Sequence, residues 1–172
     1  MVLEIKKAKF EELDRFALAL MTMKQSEDCI TRDEMYDYID RTYYLEDENK
    51  NILAIVCANR RSIEYSEEAT RVYNAPATRY QVKYALFIKQ AIEDNGLDAT
   101  KVMMRLFKEL CADLSDWSVW LDVEFQAKVN LGSKEEDTIS ILTEAALANG
   151  FKKAVNRFAY IRVQPINYGS LH

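Results

Sequence analysis

Histidine is nearly missing: one occurs in 172 residues, at position 172. That excludes a zinc centre built on histidines and a serine–histidine–aspartate triad, both of which need an imidazole held in the fold. Cysteine is scarce and odd in number. Cys29, Cys57 and Cys111 sit at apolar positions without metal-ligand spacing, so buried free thiols in a reducing compartment are expected. Long hydrophobic runs are lacking too. The longest, ILAIVCA at 52–58, is far short of the roughly 20 residues a membrane span needs, and the first residues show no apolar signal core, so a cytoplasmic protein is expected. Nor is there a basic excess. The chain carries 28 acidic against 23 basic residues, a net charge of −5, which argues against broad capture of nucleic acid or anionic lipid. Only four glycines and two prolines are present, and there is no low-complexity tract and no linker to divide the chain.

What is present suits a single soluble domain. Hydrophobic residues make up 49%, with seven Phe, ten Tyr and two Trp, ample surface for a core at a size that buries about 70% of its unfolded area. One domain is expected over 1–165, followed by a loose tail, 166–172. VLEIKKA (2–8) alternates like a half-buried strand and FEELDRFALALMTM (10–23) has helical spacing. TRDE (31–34) reads as a capping box opening a second helix. YYLE (43–46) and ILAIVCANRR (52–61) flank the polar turn DENKN as a hairpin. A long connection covers 62–78, and YQVKYALFIK (80–89) is an aromatic-rich strand. A helix with Val102, Met103, Leu106, Phe107 and Leu110 on one side follows; the Met103–Met104 pair belongs to its core face. WSVWLDVEF (117–125) alternates as a strand, DTISILTEAALANG (137–150) is a helix with an Asn-Gly stop, and AVNRFAYIRV (154–163) is the last strand. Alternating strands and helices in the second half point to an α/β domain, a mixed sheet with helices on both faces.

This order resembles the GNAT acyltransferase superfamily over roughly residues 2–163. The likeness is carried by a strand running into a turn and helix in the middle of the chain, and by a late helix ending Asn149-Gly150-Phe151 before the last strand. The family's pyrophosphate turn, Arg/Gln-x-x-Gly-x-Gly/Ala, falls on Glu93-Asp94-Asn95-Gly96-Leu97-Asp98: one glycine is kept, and Glu93 and Asp98 replace the flanking residues. Gly150 and Phe151 match the family's helix ending, while Ala146 stands where its general-acid tyrosine would be. The resemblance implies an acyl-CoA N-acyltransferase fold and transfer of an acyl (acetyl) group from acetyl-CoA or another acyl-CoA to an amine acceptor, a small molecule or a protein. Backbone at Leu86, Phe87 and Ile88 would polarise the thioester carbonyl. Gly96, Leu97, Ala99, Thr100 and Lys101 would cradle the diphosphate. Edge-strand pairing into a homodimer is likewise open to such a fold.

Physical chemistry sets a rival role for the turn. Asp98 is placed to cap the following helix, and its carboxylate would accept the amide hydrogens a phosphate wants. For the remaining chemistry, Asp122 and Glu124 share a presumed strand face with Trp120 and are candidate bases, since desolvation beside an aromatic lifts a carboxyl pKa. Tyr84 and Tyr160 are candidate acids for the leaving thiolate. The pair Trp117 and Trp120 could line an acceptor pocket, and Arg60, Arg61, Arg71 and Arg79 form a loose basic cluster. Two readings follow: an N-acyltransferase, or a GNAT-like binding module that has lost CoA-dependent turnover.

Overall fold

The computed structural model describes residues 2–24, 31–60, 78–115, 118–153 and 159–162. Cys29, Trp117, Arg61, Arg71, His172, residues 62–77 of the expected 62–78 connection, residues 154–158 and 163 of the expected last strand, and the tail lie outside the described residues.

The elements, in chain order, are β1 (Lys6–Lys7), α1 (Leu13–Met23), α2 (Arg32–Tyr38), β2 (Thr42–Glu46), β3 (Ile52–Arg60), β4 (Thr78–Phe87), α3 (Lys89–Asp94), α4 (Ala99–Asp113), β5 (Ser118–Asp122), α5 (Val123–Val129), α6 (Glu135–Ala148), β6 (Lys152–Lys153) and β7 (Ala159–Arg162). They build one mixed sheet of seven strands in the order β1-β2-β3-β4-β5-β7-β6. All pairs are antiparallel except β4 with β5. The mixed α/β architecture with helices on both faces is the one the sequence pattern points to.

The central strand β3 reads LAIVCA because both of its faces are covered. Ile55 and Cys57 meet Phe16, Leu20, Met35 and Tyr38 from α1 and α2. Ala54, Val56 and Ala58 meet the other layer, where Met103, Leu106, Phe107 and Leu110 of α4 pack with Leu142, Ala145 and Ala146 of α6. Each buried large side chain of this kind stabilises the fold by about 1.5–3 kcal/mol. Local chemistry sets the boundaries. The Thr31 hydroxyl accepts from the Glu34 amide at 3.1 Å and opens α2. Asp47 accepts from the amides of Asn49 and Asn51, both at 2.9 Å, and closes the β2–β3 turn.

Two features shape the middle of the sheet. Cys57 lies opposite Tyr84 but Ala58 lies opposite Val82, so Lys83 is an extra residue in β4. This bulge breaks the two-residue alternation. Val82 consequently faces α4 and α6, whereas Tyr84 faces α1 and α2. The second feature is the short reach of the parallel pair. β4 and β5 are matched at Thr78–Ser118, Tyr80–Val119 and Gln81–Trp120. Beyond Gln81 the β5-facing edge of β4 has no strand beside it among the described residues.

Both outer strands consist of two lysines each, Lys6–Lys7 and Lys152–Lys153. Short, charged edges resist strand addition.

Candidate functional site

The gap between β4 and β5 is where the resemblance places the thioester, and the geometry there is specific. Gln126, on α5, is 1% exposed. Its Oε1 accepts from the Ala85 amide at 2.7 Å, and its Nε2 donates to the Lys83 carbonyl at 3.0 Å and to the Val82 carbonyl at 3.4 Å. One turn later Asn130, 3% exposed, accepts from the Phe87 amide at 3.3 Å and donates to the Thr138 hydroxyl at 3.3 Å. The chain then turns at Gly132, whose carbonyl accepts from the Lys89 amide at 3.1 Å. A Cβ at Gly132 would land on the Phe87 carbonyl oxygen and stand 2.7 Å from Ile88 Cα. Only glycine lets this segment lie so close to β4. Two side-chain carboxamides thus occupy the hydrogen-bonding positions that a neighbouring strand, or the amides of a bound ligand, would take.

The expected carbonyl-polarising residues are therefore engaged. Of Leu86, Phe87 and Ile88, the Phe87 amide points away from β3 and is held by Asn130. Ile88 donates to the Leu53 carbonyl at 2.9 Å, and Leu86 lies in the β3–β4 ladder opposite Ile55.

The acidic corner at 92–98 differs from its expected form. The strand stops at Phe87, and α3 intervenes before the turn. Gly96 has φ +75° and its amide reaches the Glu93 carbonyl at 2.9 Å, while the Leu97 amide reaches the Ile92 carbonyl at 3.2 Å. Gly96 is therefore a helix-terminating glycine in the left-handed region, which accounts for its presence without a phosphate. The Asp98 carboxylate accepts from the Thr100 amide at 3.2 Å and caps α4. Of the remaining cradle residues, Ala99 is buried in the core, Leu97 packs against it and the Lys101 side chain is exposed.

The candidate bases also fall differently. β5 ends at Asp122, so Asp122 shares a strand face with Trp120 while Glu124 stands on a helix. Asp122 caps α5 by accepting from the Phe125 amide at 3.0 Å. Glu124 pairs with Lys128 at 3.2 Å, one turn on, on a solvated side. The candidate acids are separated: Tyr84 lies in the layer under α1 and α2, and Tyr160 in the layer under α4 and α6. Ala146 is fully buried.

Sequence reasoning missed Gln126, Asn130 and Gly132. The available signal was the spacing of Gln126 and Asn130, four residues apart beside Val123 and Ala127, which places carboxamides on the apolar side of a helix. Both remaining described thiols are buried, and burial pushes Cys57 up to about 12 and Cys111 up to about 11. Neither is a nucleophile in the folded chain. No group of side chains among the described residues could hold a metal ion, and no described helix is long and apolar enough to cross a membrane.

No family model matches the sequence, and no curated protein matches it either. Solved structures do resemble it. A spermidine N-acetyltransferase SpeG chimera from Vibrio cholerae and hSSAT is 12% identical, with 94% of this chain and 97% of that chain covered at a TM-score of 0.47. The loading GNATL domain of CurA from Lyngbya majuscula is 15% identical over 92% and 94% of the two chains, at 0.46. A putative phosphinothricin N-acetyltransferase is 13% identical over 96% and 100%, also at 0.46. These neighbours are GNAT-type proteins, and at such identity the likeness extends no further than the fold.

Proposed function

We propose that this chain is a GNAT-like binding module whose acyl-CoA cleft is filled from within, so that it acts by association and not by acyl transfer. The single observation behind this reading is the occupation of the Ala85 and Phe87 amides by Gln126 and Asn130. An acyl-CoA arm reaching β4 would have to displace both carboxamides, orphan the Lys83 carbonyl and lift Gly132 off the strand. Each buried group left unpaired costs about 1–3 kcal/mol, which would be drawn from the ligand's affinity. At the diphosphate end, Asp98 already holds an amide of α4.

The N-acyltransferase reading, with acetyl-CoA or another acyl-CoA as donor and an amine as acceptor, is favoured by one observation of its own. β4 and β5 start parallel and part company after Gln81, as a fold that seats a donor between them requires. It needs α5 to swing away from β4 when the donor arrives. Calorimetric titration of acetyl-CoA into the wild-type protein and into Asp98→Gly separates the two. No heat from the wild type supports the module. Micromolar binding by the wild type, with release of coenzyme A in the presence of an amine, overturns it in favour of the transferase. Binding by the glycine variant alone assigns the block to the Asp98 cap.

A further inference from the structure

Among the described residues several half-buried cations face a carboxylate: Lys6 with Glu46, Arg15 with Glu12, Arg41 with Asp40, and Lys89 with Asp137. Lys24 and Lys83 break that habit. Both are half-buried and neither has a carboxylate partner among the described residues. Both instead reach one buried ring. The Lys24 Nζ is 5.1 Å from the Tyr84 ring centroid and the Lys83 Nζ is 5.7 Å from it. Lys83 also stands 6.0 Å from the ring of Phe125, which lies 6.4 Å from Tyr84.

The ring faces attract these ammonium groups. A ring face supplies no whole negative charge, and among the described residues no carboxylate stands against either group. Their backbones are fixed as well. Lys24 forms a bridge with Asn130, and Lys83 is the bulge residue whose carbonyl Gln126 holds. Positions set by rigid elements are what a preorganised binding site requires.

We propose that Lys24 and Lys83 form a binding site for an oxyanion, the phosphate or carboxylate group of a small molecule, seated beside Tyr84 and Phe125. The site rests on neither reading of the cleft, because the ammonium groups of Lys24 and Lys83 take no part in the hydrogen bonds that fill it. The anion would accept hydrogen bonds from both ammonium groups, and the aromatic pair would wall one side from water.

Isothermal calorimetry with sodium phosphate, and separately with sodium malonate, tests this at constant ionic strength set by sodium chloride. Saturable binding of at least one anion by the wild type is expected; phosphate alone identifies a phosphate site and malonate alone a carboxylate site. Lys24→Gln and Lys83→Gln should each weaken binding at least about fivefold, the loss of one charge-assisted contact, and the double variant should show none. Lys83→Arg should retain it. Lys128→Gln, on the same helix as Phe125 but already paired with Glu124, should bind as the wild type does. Absence of saturable heat with both anions, or equal binding by the double variant, would overturn the proposal. Circular dichroism of each variant excludes unfolding as the cause.

Discussion

Replacing Gln126 by methionine isolates the hydrogen bonds from the space they fill. The two side chains are close in length, so Gln126→Met leaves little cavity, yet it strips the Ala85 amide of its acceptor and the carbonyls of Val82 and Lys83 of their donor. The 2.7 Å bond to Ala85 and the 3.0 Å bond to Lys83 are the well-formed pair; the 3.4 Å contact to Val82 is weak by geometry. Two buried backbone groups left unmade at about 1–3 kcal/mol each give an expected loss of about 2–6 kcal/mol. Gln126→Ala adds a cavity to the same loss and should fall at or beyond the upper end. Urea unfolding at 25 °C followed by far-ultraviolet circular dichroism measures this directly. In thermal melts the methionine variant should drop by roughly 4–24 °C, at about 2–4 °C per kcal/mol for a chain of this size. If Gln126→Met is within 0.5 kcal/mol of wild type (roughly the scatter of an ordinary surface change), the carboxamide is not completing β4 and the filled-cleft account fails.

Other consequences are independent of that residue. Gly132→Ala should destabilise the protein by more than about 2 kcal/mol, because the new methyl meets β4 backbone and no flexible side chain can give way; a neutral result would mean the 130–132 segment does not lie against the strand. Asp98→Ala should cost about 1 kcal/mol as a lost helix cap, whereas Asp98→Gly should cost only a few tenths, both read from urea midpoints. Burial alone would raise the Glu46 carboxyl, but hydrogen bonds from Lys6 and Arg15 outweigh it and hold the group below the usual carboxylate range. Its contribution is therefore present above the unfolded-state pKa and is lost as pH falls through the folded one, so Glu46→Gln should flatten the decline in stability below about pH 4. Cys57 and Cys111 should resist Ellman's reagent at pH 8 in the native protein and react on unfolding, since burial holds both thiols protonated and covered; prompt reaction of either would show that the cores open.

The parts of the fold legible in the sequence are those governed by one local rule at a time. Thr31, Asp98 and the Asn149-Gly150 stop announced helix ends through side-chain and backbone chemistry that needs no distant partner. The β2–β3 hairpin was legible for the same reason. The 117–125 segment shows where that reading stops. Val119, Leu121, Val123 and Phe125 alternate without a break, so periodicity alone extends the strand through all four. In the structure Asp122 caps a helix in the middle of the pattern, because β5 has β4 beside it only as far as Trp120 and the chain must turn to cover what β4 leaves bare. The end of the expected 80–89 strand differs in a similar way: Ile88 and Lys89 look like the end of an apolar strand, but the Lys89 amide is drawn off by the Gly132 carbonyl and a helix starts there. Gln126 and Asn130 could be placed on a helix face from their spacing, yet their partners are 41 and 43 residues away. No local pattern announces those.

A strand that parts from its neighbour inside a domain leaves amides and carbonyls that water, a ligand or a side chain must satisfy. A fold that keeps the gap for a ligand leaves the edge wet and accepts a lower stability when empty. This chain takes the third course. An apolar residue at position 126 would fill the volume but strand the Ala85 amide; a carboxylate would accept that amide's hydrogen but could not donate to the Lys83 carbonyl, and would bring a buried charge. A carboxamide does both, being the one side-chain group with the donor and acceptor of a peptide unit. Its length also fixes where α5 must sit, one side-chain reach from β4, which is why Gly132 is needed a turn and a half later to bring the chain back against the same strand. The bulge at Lys83, the helix in place of a longer β5 and the glycine are thus one arrangement, and undoing any of them to admit a donor molecule undoes the pairing of the others.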